Sequence, residues 1–378
     1  MYWSALSVLS KGFANVIIFL ILAKNLSVED YGRLSFSVIC AAVIIIFIDC
    51  GINTRITKEL SQKNFTKKIE LEKKKNTINF LALFFITAVS ILMGDLFFLL
   101  IVNSYIILNL CELAMSKRRA KFDYKREFYL NFLSTLFFSL SVFVSIFLFE
   151  NLNAVALGFL LGRVISYLVL ILMGELYFIF SSKLRILDEK EFTFDFILTN
   201  IWGQIDHFLV RFFFGLEALG IYHAYSRIIN GFGMVTMGIT NYFFPKITSG
   251  EKSSFENIEK KIIIFSIGMI LILYVYSEPL ILYTIGDKFL SYSPLLTLML
   301  IPLILKFMSS FSGILLIKHG EMNYRIITQL TILLVSVLIA VTLCQLMNSI
   351  YAIPLVMIIS YATIYIVYSK KLKYLERL

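Results

Sequence analysis

A stripe of polar and ionisable side chains interrupts the apolar stretch NIWGQIDHFLVRFFFG, residues 200–215. Its members follow one another at i, i+4, i+7 and i+11 and are Asn200, Gln204, His207 and Arg211. This spacing places all four on one face of a helix, from which Asp206 points away. A charge at the centre of a bilayer costs roughly 3 kcal/mol even on lenient insertion scales. The stripe therefore predicts that this face lines a bundle interior or a watery cavity.

Basic side chains lie deep in several apolar segments, and the set is Lys11, Arg163, Arg211, Arg227 and Lys306. Acidic residues near the middle of such segments are few, chiefly Asp206 and Glu278. Ion pairing could neutralise some of the cations, but not obviously all of them. Because surplus positive charge in a dehydrated cavity is unfavourable unless water or an anion enters, we expect an anionic substrate.

Two carboxylates, Asp206 and Glu278, are candidate sites for a coupling ion. Pro279 follows Glu278 directly and would break a helix there, which leaves the carboxylate near freed backbone carbonyl groups. The alternatives are a kink with a buried partner at Glu278 and a salt bridge to a neighbouring helix at Asp206. His207 is either a structural hydrogen-bonding group or a proton carrier, since histidine exchanges its proton near physiological pH.

The sequence shows no motif that would support enzymatic catalysis. It has no Walker motif, and the glycines of GFGMVTMG, residues 231–238, lack the spacing of a dinucleotide-binding loop. Its three histidines assemble neither a metal cluster nor a Ser-His-Asp arrangement. The four cysteines form no C-x-x-C pair. We therefore expect a protein that is not an enzyme and that has no cofactor and no metal site.

The composition indicates that these residues belong to a membrane protein. Hydrophobic residues make up 59% of the 378 and charged residues only 16%, whereas a soluble domain is about half apolar and about a quarter charged. The formal net charge of +10 does not indicate nucleic-acid binding. The basic residues cluster in short loops between apolar runs, where they orient helices in a bilayer.

Twelve apolar segments are long enough to cross a hydrocarbon core about 30 Å thick. They run approximately over residues 3–23, 31–50, 77–93, 96–115, 129–149, 154–180, 194–216, 223–245, 262–284, 293–317, 326–346 and 350–369. Nearly all loop Lys and Arg residues follow even-numbered segments, and the loops on the other side hold only Lys24, Arg33 and Lys288. By the positive-inside rule, both termini face the cytoplasm. The sequence predicts an all-α integral membrane protein.

The two halves of the chain resemble each other weakly, which suggests an internal repeat. ILAKNLSVEDYGRLSFS, residues 21–37, and FFFGLEALGIYHAYSRI, residues 212–228, share the pattern Glu-x-x-Gly after an apolar helix. Six segments in each half would insert in the same direction, so the repeats would be related by a pseudo-twofold axis along the membrane normal. The alternative is that each glycine is present only because a turn precedes the helix, without any duplication of the chain.

Several stretches together resemble the polysaccharide-export and O-antigen flippases. They are ILAKNLSVEDYGRLSFSV, IDCGINTRITKEL (48–60), IDHFLVRFFFGLEALGIYHAYSRI (205–228), YFFPKIT (242–248) and YTIGDKFLSYSPLL (283–296). That family belongs to the superfamily of multidrug extruders, polysaccharide flippases and peptidoglycan-precursor flippases. The resemblance implies two six-helix lobes, residues 1–181 and 193–378, joined by a cytoplasmic loop, 182–192. The lobes would face each other in a V, as in multidrug extruders, and work by alternating access.

The resemblance also implies a substrate and partners. A positively charged cavity would hold the diphosphate and sugars of an undecaprenyl-diphosphate-linked oligosaccharide at the bacterial inner membrane. Four cations, Arg211, Lys306, Arg163 and Lys11, would attract the diphosphate, and Asn200 and Gln204 could hydrogen-bond sugar hydroxyls. Arg227 and His207 complete the set of candidate substrate-binding residues. A monovalent cation or proton gradient would drive transport. Polysaccharide polymerase and chain-length proteins are further possible partners, and nucleic acid is not one.

Two alternative functions are kept open. A multidrug or cation-exchanging extruder of the same superfamily should have a cavity rich in carboxylates, which this sequence does not indicate. A membrane-embedded glycan polymerase or acyltransferase should have a long outward loop or a His/Asp catalytic constellation. The sequence shows neither of these, so a lipid-linked oligosaccharide flippase is the preferred hypothesis.

Overall fold

The computed structural model describes residues 2–61, 63–149, 151–177, 179–181, 190–248, 264, 267–268 and 270–375. Over these ranges the chain forms helices joined by short turns, without a β-strand. The predicted loop 182–192 lies mostly outside the described residues, and so does the beginning of the predicted span 262–284.

Seven helices are formed by the first half of the chain. They are α1 (Tyr2–Asn25), α2 (Val28–Asp49), α3 (Ile52–Ser61), α4 (Phe65–Met93), α5 (Leu96–Ala120), α6 (Tyr124–Phe149) and α7 (Leu152–Leu172). The predicted tight turn between α4 and α5 is present. Gly94 ends α4 with φ 71° and donates its N–H to the Ile91 carbonyl, while the Asp95 side chain accepts from the Phe98 N–H and starts α5. The short helix α3 was not predicted, since its sequence was assigned to a basic loop.

The second half forms α8 (Lys190–Trp202), α9 (Ile205–Thr248), α10 (Ser277–Thr284), α11 (Ser293–Lys318), α12 (Met322–Met347) and α13 (Ala352–Leu375). A 3₁₀ helix, Asp287–Tyr292, precedes α11. Residues 270–275 are also helical, and the chain turns at Tyr276 before α10 begins. The helix break predicted at Glu278-Pro279 therefore lies close to its expected position. Pro279 is in the first turn of α10, where the backbone N–H has no helical partner and proline is tolerated.

The predicted span 194–216 is not one helix, which corrects the proposed polar stripe. Helix α8 ends at Trp202, residues 203 and 204 form a turn, and α9 begins at Ile205. The Asp206 side chain accepts a hydrogen bond from the backbone N–H of His207 at 2.9 Å. Such local side-chain bonding, next to a glycine, competes with helical bonding and favours a helix start. The four residues of the stripe consequently do not share one continuous helical face.

Eight helical stretches of the described residues are long and apolar enough to cross a membrane. They are Val28–Asp49, Phe65–Met93, Leu96–Ala120, Tyr124–Phe149, Leu152–Leu172, Asp287–Ile317, Met322–Met347 and Ala352–Leu375. Large apolar side chains on their surfaces are exposed, such as Phe84 and Leu172, as expected where acyl chains replace water. The prediction of an all-α integral membrane protein is confirmed.

The helices divide into two compact units. The first contains Met1–Ile18 and Leu34–Ile201, and the second contains Phe19–Arg33 and Trp202–Leu378. Helices α1 and α2 are thus each shared, since the end of α1 and the beginning of α2 belong to the second unit. The lobes 1–181 and 193–378 stay a prediction.

Buried glutamates form ion pairs with basic residues at the ends of α5 and α6 in the first unit. The Glu175 carboxylate accepts from Arg118 at 2.6 Å and lies 2.7 Å from Arg126, and its side chain is only 2% exposed. Glu127 pairs with Arg119 at 2.8 Å. These basic residues therefore fasten the ends of α5 and α6.

Candidate functional site

A cavity with about 520 Å³ of empty space, part of it open solvent, lies within the second unit, beside α9, α11 and α13. Its principal polar and aromatic lining consists of Trp202, Asp206, His207, Tyr222, Lys306 and Tyr361. We call this space the α9–α11–α13 cavity. It combines one carboxylate, one ammonium group, one imidazole and three aromatic rings with hydrogen-bonding edges, so it can accommodate a polar or charged molecule.

Asp206 stands in the first turn of α9, where the positive end of the helix favours a carboxylate. One of its oxygens accepts from His207 Nδ1 at 2.8 Å and from the His207 backbone N–H at 2.9 Å. The other oxygen accepts from the Tyr222 hydroxyl at 2.9 Å. Both oxygens therefore already have donors, and the carboxylate fixes which His207 nitrogen carries a hydrogen.

Lys306 projects from α11 into the same cavity, one turn after Pro302. In the part of the chain that the structure describes, no carboxylate lies within ion-pair distance of its ammonium group, although the charge of Asp206 acts on it. The Asp206 oxygens are engaged by His207 and Tyr222 instead. Lys306 is thus a half-buried ammonium group, available to a ligand that enters the cavity.

Aromatic residues close the cavity near the start of α9. The Trp202 and Tyr361 rings lie 5.7 Å apart, and the Trp202 indole donates to the Gln329 carbonyl at 3.3 Å. The His207 and Tyr222 rings meet edge to face at 5.3 Å. Sequence reasoning missed these rings because it searched for charged and amide side chains, whereas aromatic residues in an apolar helix give no distinguishing pattern.

A second group of ionisable residues adjoins the cavity on α9. The His223 ring lies 5.5 Å from the His207 ring, and its Nε2 accepts from Arg227 at 3.2 Å. The Arg227 guanidinium stacks on the Phe19 ring at 3.9 Å. Arg227, a predicted substrate-binding residue, is therefore held by a histidine and an aromatic face.

Lys11 is not a surplus cation, because it forms an ion pair with Glu112 of α5 in the first unit. The sequence analysis did not predict this pairing. Arg163 differs, since it is buried and its guanidinium stacks on the Phe138 ring at 3.8 Å. Glycines at 158 and 162 let α7 approach α6 closely enough for this contact.

The remaining predicted residues are not brought into the α9–α11–α13 cavity. Asn200 donates to the Phe196 carbonyl within α8 at 2.7 Å, and Gln204 occupies the turn before α9. Arg211 is half-buried further along α9, and Glu278 is exposed. Of the candidate set, the cavity thus gathers His207, Lys306 and Asp206.

The first unit contains a buried polar network that the sequence did not reveal. Lys75 of α4 is fully buried, and its ammonium group lies 2.9 Å from both the Asp49 carboxylate and the Asn109 amide oxygen. Asn53 donates to the same Asp49 oxygen at 2.9 Å. Lys75 was assigned to a basic loop because two further lysines precede it, so its burial could not be recognised from composition.

Comparison with solved structures shows the same architecture in membrane transporters. An outward-facing multidrug resistance MATE family transporter of the MOP superfamily matches with a TM-score of 0.68 at 12% identity, covering 100% of this chain and 95% of that one. The inward-facing form of such a transporter matches with a TM-score of 0.66 at 12% identity, covering 99% and 96%. MATE in complex with MaD5 matches with a TM-score of 0.62 at 11% identity, covering 100% and 95%. At these identities the likeness shows the fold alone.

The chain thus has the fold of multi-pass membrane transporters, with eight described helical stretches long and apolar enough to cross a membrane. Residues 21–294, well over half of the chain, match the family described as polysaccharide biosynthesis protein. The protein therefore belongs to that family, and the resemblance found in the sequence is confirmed. Among curated proteins, no sequence matches the chain.

Proposed function

We propose that this protein is a flippase that moves undecaprenyl-diphosphate-linked oligosaccharide repeat units across the bacterial inner membrane by alternating access. Its family links it to polysaccharide biosynthesis, and its fold is that of transporters. An ion gradient would supply the energy, and polymerase and chain-length proteins would receive the product. The observation that carries the proposal is Lys306, an ammonium group in a polar cavity with no described carboxylate paired to it.

The chemistry of the cavity suits such a head group. An ammonium ion binds phosphate as a compact point charge. The faces of Trp202, Tyr222 and Tyr361 can pack on the C–H surface of a sugar ring, while Ser226 and Asn230 provide hydrogen-bonding groups for hydroxyls. Asp206 would repel a phosphate close to it, so we place the diphosphate at Lys306 and the sugars along the aromatic rings. Arg163 is a further cation for an anionic substrate in the first unit.

The test is to replace Lys306 by Gln and to measure flipping of a lipid-linked oligosaccharide in proteoliposomes. Losing a charge-assisted hydrogen bond removes about 1.5–3 kcal/mol, so we expect the rate to fall about tenfold or more. Lys306→Arg should keep part of the rate. Lys371→Gln, at a half-buried ion pair with Glu321 just before α12, is the matched control and should flip normally.

Wild-type flipping by Lys306→Gln at an equal protein level would contradict the assignment of Lys306. The competing function is multidrug export, because a multidrug resistance transporter has the same fold. Drug susceptibility of a strain lacking the gene separates the two functions. A flippase defect should abolish surface polysaccharide and leave drug resistance unchanged.

A further inference from the structure

The two copies of the Glu-x-x-Gly pattern meet each other within the second unit. A Cβ atom added at Gly32 of α2 would overlap the carbonyl oxygen of Leu216, and one added at Gly220 of α9 would lie 2.5 Å from the carbonyl oxygen of Val28. Val28 precedes Gly32 by the same spacing as Leu216 precedes Gly220, so the contact is reciprocal. We call this backbone contact the glycine seam. Only glycine permits so close an approach.

The bend at Gly215 explains why the two sides of the seam are alike. Gly215 has φ 87° and ψ −170°, which interrupts α9 immediately before Leu216. The part of α9 that follows therefore begins anew, as α2 does after Ser27. Two helix beginnings from the two predicted repeats thus pack backbone against backbone.

A histidine is bonded across the contact beside the seam. Tyr31 of α2, the neighbour of Gly32, places its hydroxyl 3.1 Å from His223 Nδ1, and His223 is 2% exposed. On its other side, His223 Nε2 lies 3.2 and 3.1 Å from Nε and Nη2 of Arg227. Arg227 in turn stacks on Phe19 at the end of α1. His223 therefore joins α9 to the two helix ends on the other side of the seam.

The donors around His223 determine its protonation state. A guanidinium group only donates, so His223 Nε2 must accept and cannot carry a hydrogen. The ring is then neutral, with its hydrogen on Nδ1 directed to the Tyr31 oxygen. Protonation at Nε2 would place two cations about 3 Å apart in a buried site, where they repel strongly. A proton on Nε2 and Arg227 in its present position are therefore mutually exclusive.

We propose that His223 is a proton-binding latch of the glycine seam. With Nε2 unprotonated, His223 holds Arg227 against Phe19 and the seam stays closed. With Nε2 protonated, Arg227 is expelled, its contact with Phe19 is lost, and the seam is released. Among the described residues, the groups that face His223 include Tyr31 of α2, Phe19 of α1, and Arg227 and His207 of α9.

His207 lies between the cavity and His223 and is the residue placed to relay a proton. His207 lines the α9–α11–α13 cavity, and its ring is 5.5 Å from that of His223. Asp206 holds a hydrogen on His207 Nδ1, so Nε2 of His207 is the nitrogen that can pass a proton on. The latch goes beyond the proposed function, because it would operate whatever molecule occupies the cavity.

The experiment measures the seam directly by pulsed electron paramagnetic resonance. Spin labels are attached at Glu29 and Glu217, the two exposed positions that correspond in the repeat, in the full chain with its four cysteines replaced by serine. The distance between the labels is recorded in nanodiscs from about pH 5 to about pH 8. We expect a single short distance at high pH and a longer one that becomes the major population as the pH falls.

His223→Gln should keep the short distance at every pH, since a Gln oxygen can accept from Arg227 and does not titrate. His319→Gln, at an exposed histidine after α11, is the matched control and should titrate like the wild type. If His223→Gln fails to fold, Arg227→Gln tests the same idea, because it removes the repelled cation and should abolish the pH response.

A distance that does not change with pH would overturn the latch, as would a wild-type titration in His223→Gln. If the pH response is lost in His207→Gln but persists in His223→Gln, the proton binds to His207 instead. That result would also overturn the latch. Lys306→Gln should titrate normally while flipping fails, so the failure of the latch and the failure of the proposed function are distinguishable.

Discussion

At the scale of single residues, the buried cations divide by what each one touches. Lys11 is paired with Glu112, Arg163 and Arg227 lie on aromatic rings, and Lys306 lines a cavity. The sequence correctly located these cations in apolar segments, but only side-chain neighbours distinguish a neutralised charge from an available one. Lys306 is therefore a better candidate than Lys11 for binding an anionic substrate.

The Asp49–Lys75 pair gives a stability prediction at this scale. Lys75→Met would leave the Asp49 carboxylate buried without its cation, and breaking such a pair typically destabilises a protein by about 3–5 kcal/mol. We expect a clear fall in the melting temperature of the purified protein, measured by light scattering or by size-exclusion after heating.

The double variant Asp49→Asn with Lys75→Met is the control for this pair. It removes both charges, so it should recover most of the lost stability. Equal melting temperatures for Lys75→Met and the wild type would show that the pair is not needed for stability.

At the scale of elements, glycines decide where helices break and how closely they pack. The apolar pattern predicted most helix positions, because lipid demands long, internally hydrogen-bonded segments. It could not predict the turn at residues 203 and 204, since aromatic and aliphatic residues continue on both sides. Hydrophobicity reports that a segment is buried in the membrane, but not whether its backbone is continuous.

Gly32→Ala tests the glycine seam as a packing element. The added methyl would overlap the Leu216 carbonyl, which belongs to the helix backbone and has little room to move. We expect destabilisation by about 1–3 kcal/mol, as for other overpacked sites, seen as a lower melting temperature.

Gly268→Ala is the matched control, because no atom of the residues that the structure describes lies within 4 Å of a Cβ at that helical position. Alanine is the better helix former there, so the melting temperature should stay the same or rise slightly. If the two variants have the same melting temperature, the stability of the protein does not depend on the close backbone contact between α2 and α9.

At the scale of the whole molecule, the two candidate coupling carboxylates have different surroundings. Asp206 lines the cavity beside Lys306, whereas Glu278 is exposed at the start of α10. A coupling group must sense both the ion and the substrate. We therefore expect Asp206→Asn to abolish the stimulation of flipping by an imposed ion gradient.

Glu278→Gln serves as the comparison in the same proteoliposome assay and should keep the stimulation. The measurement is the ratio of flipping rates with and without the gradient, for proton and sodium gradients separately. Loss of stimulation in Glu278→Gln alone would transfer the coupling role to α10.

The sequence by itself determined the class of protein and the family, and it predicts the orientation of the helices. These follow from hydrophobicity, loop charge and the order of short motifs, which are properties of the chain that do not depend on its folding. The Glu-x-x-Gly repeat was also visible, although nothing in the sequence showed that its two copies touch.

Only the tertiary structure decided which charges are neutralised and which residues share a site. Glu112 meets Lys11, Tyr31 meets His223, and Tyr222 meets Asp206 across different helices or helical turns. These contacts depend on the rotation of each helix about its axis and on the angle at which helices cross, and a hydropathy pattern specifies neither. Buried polar groups need hydrogen-bond or ion-pair partners, and the packing of the helices determines which partner is within reach.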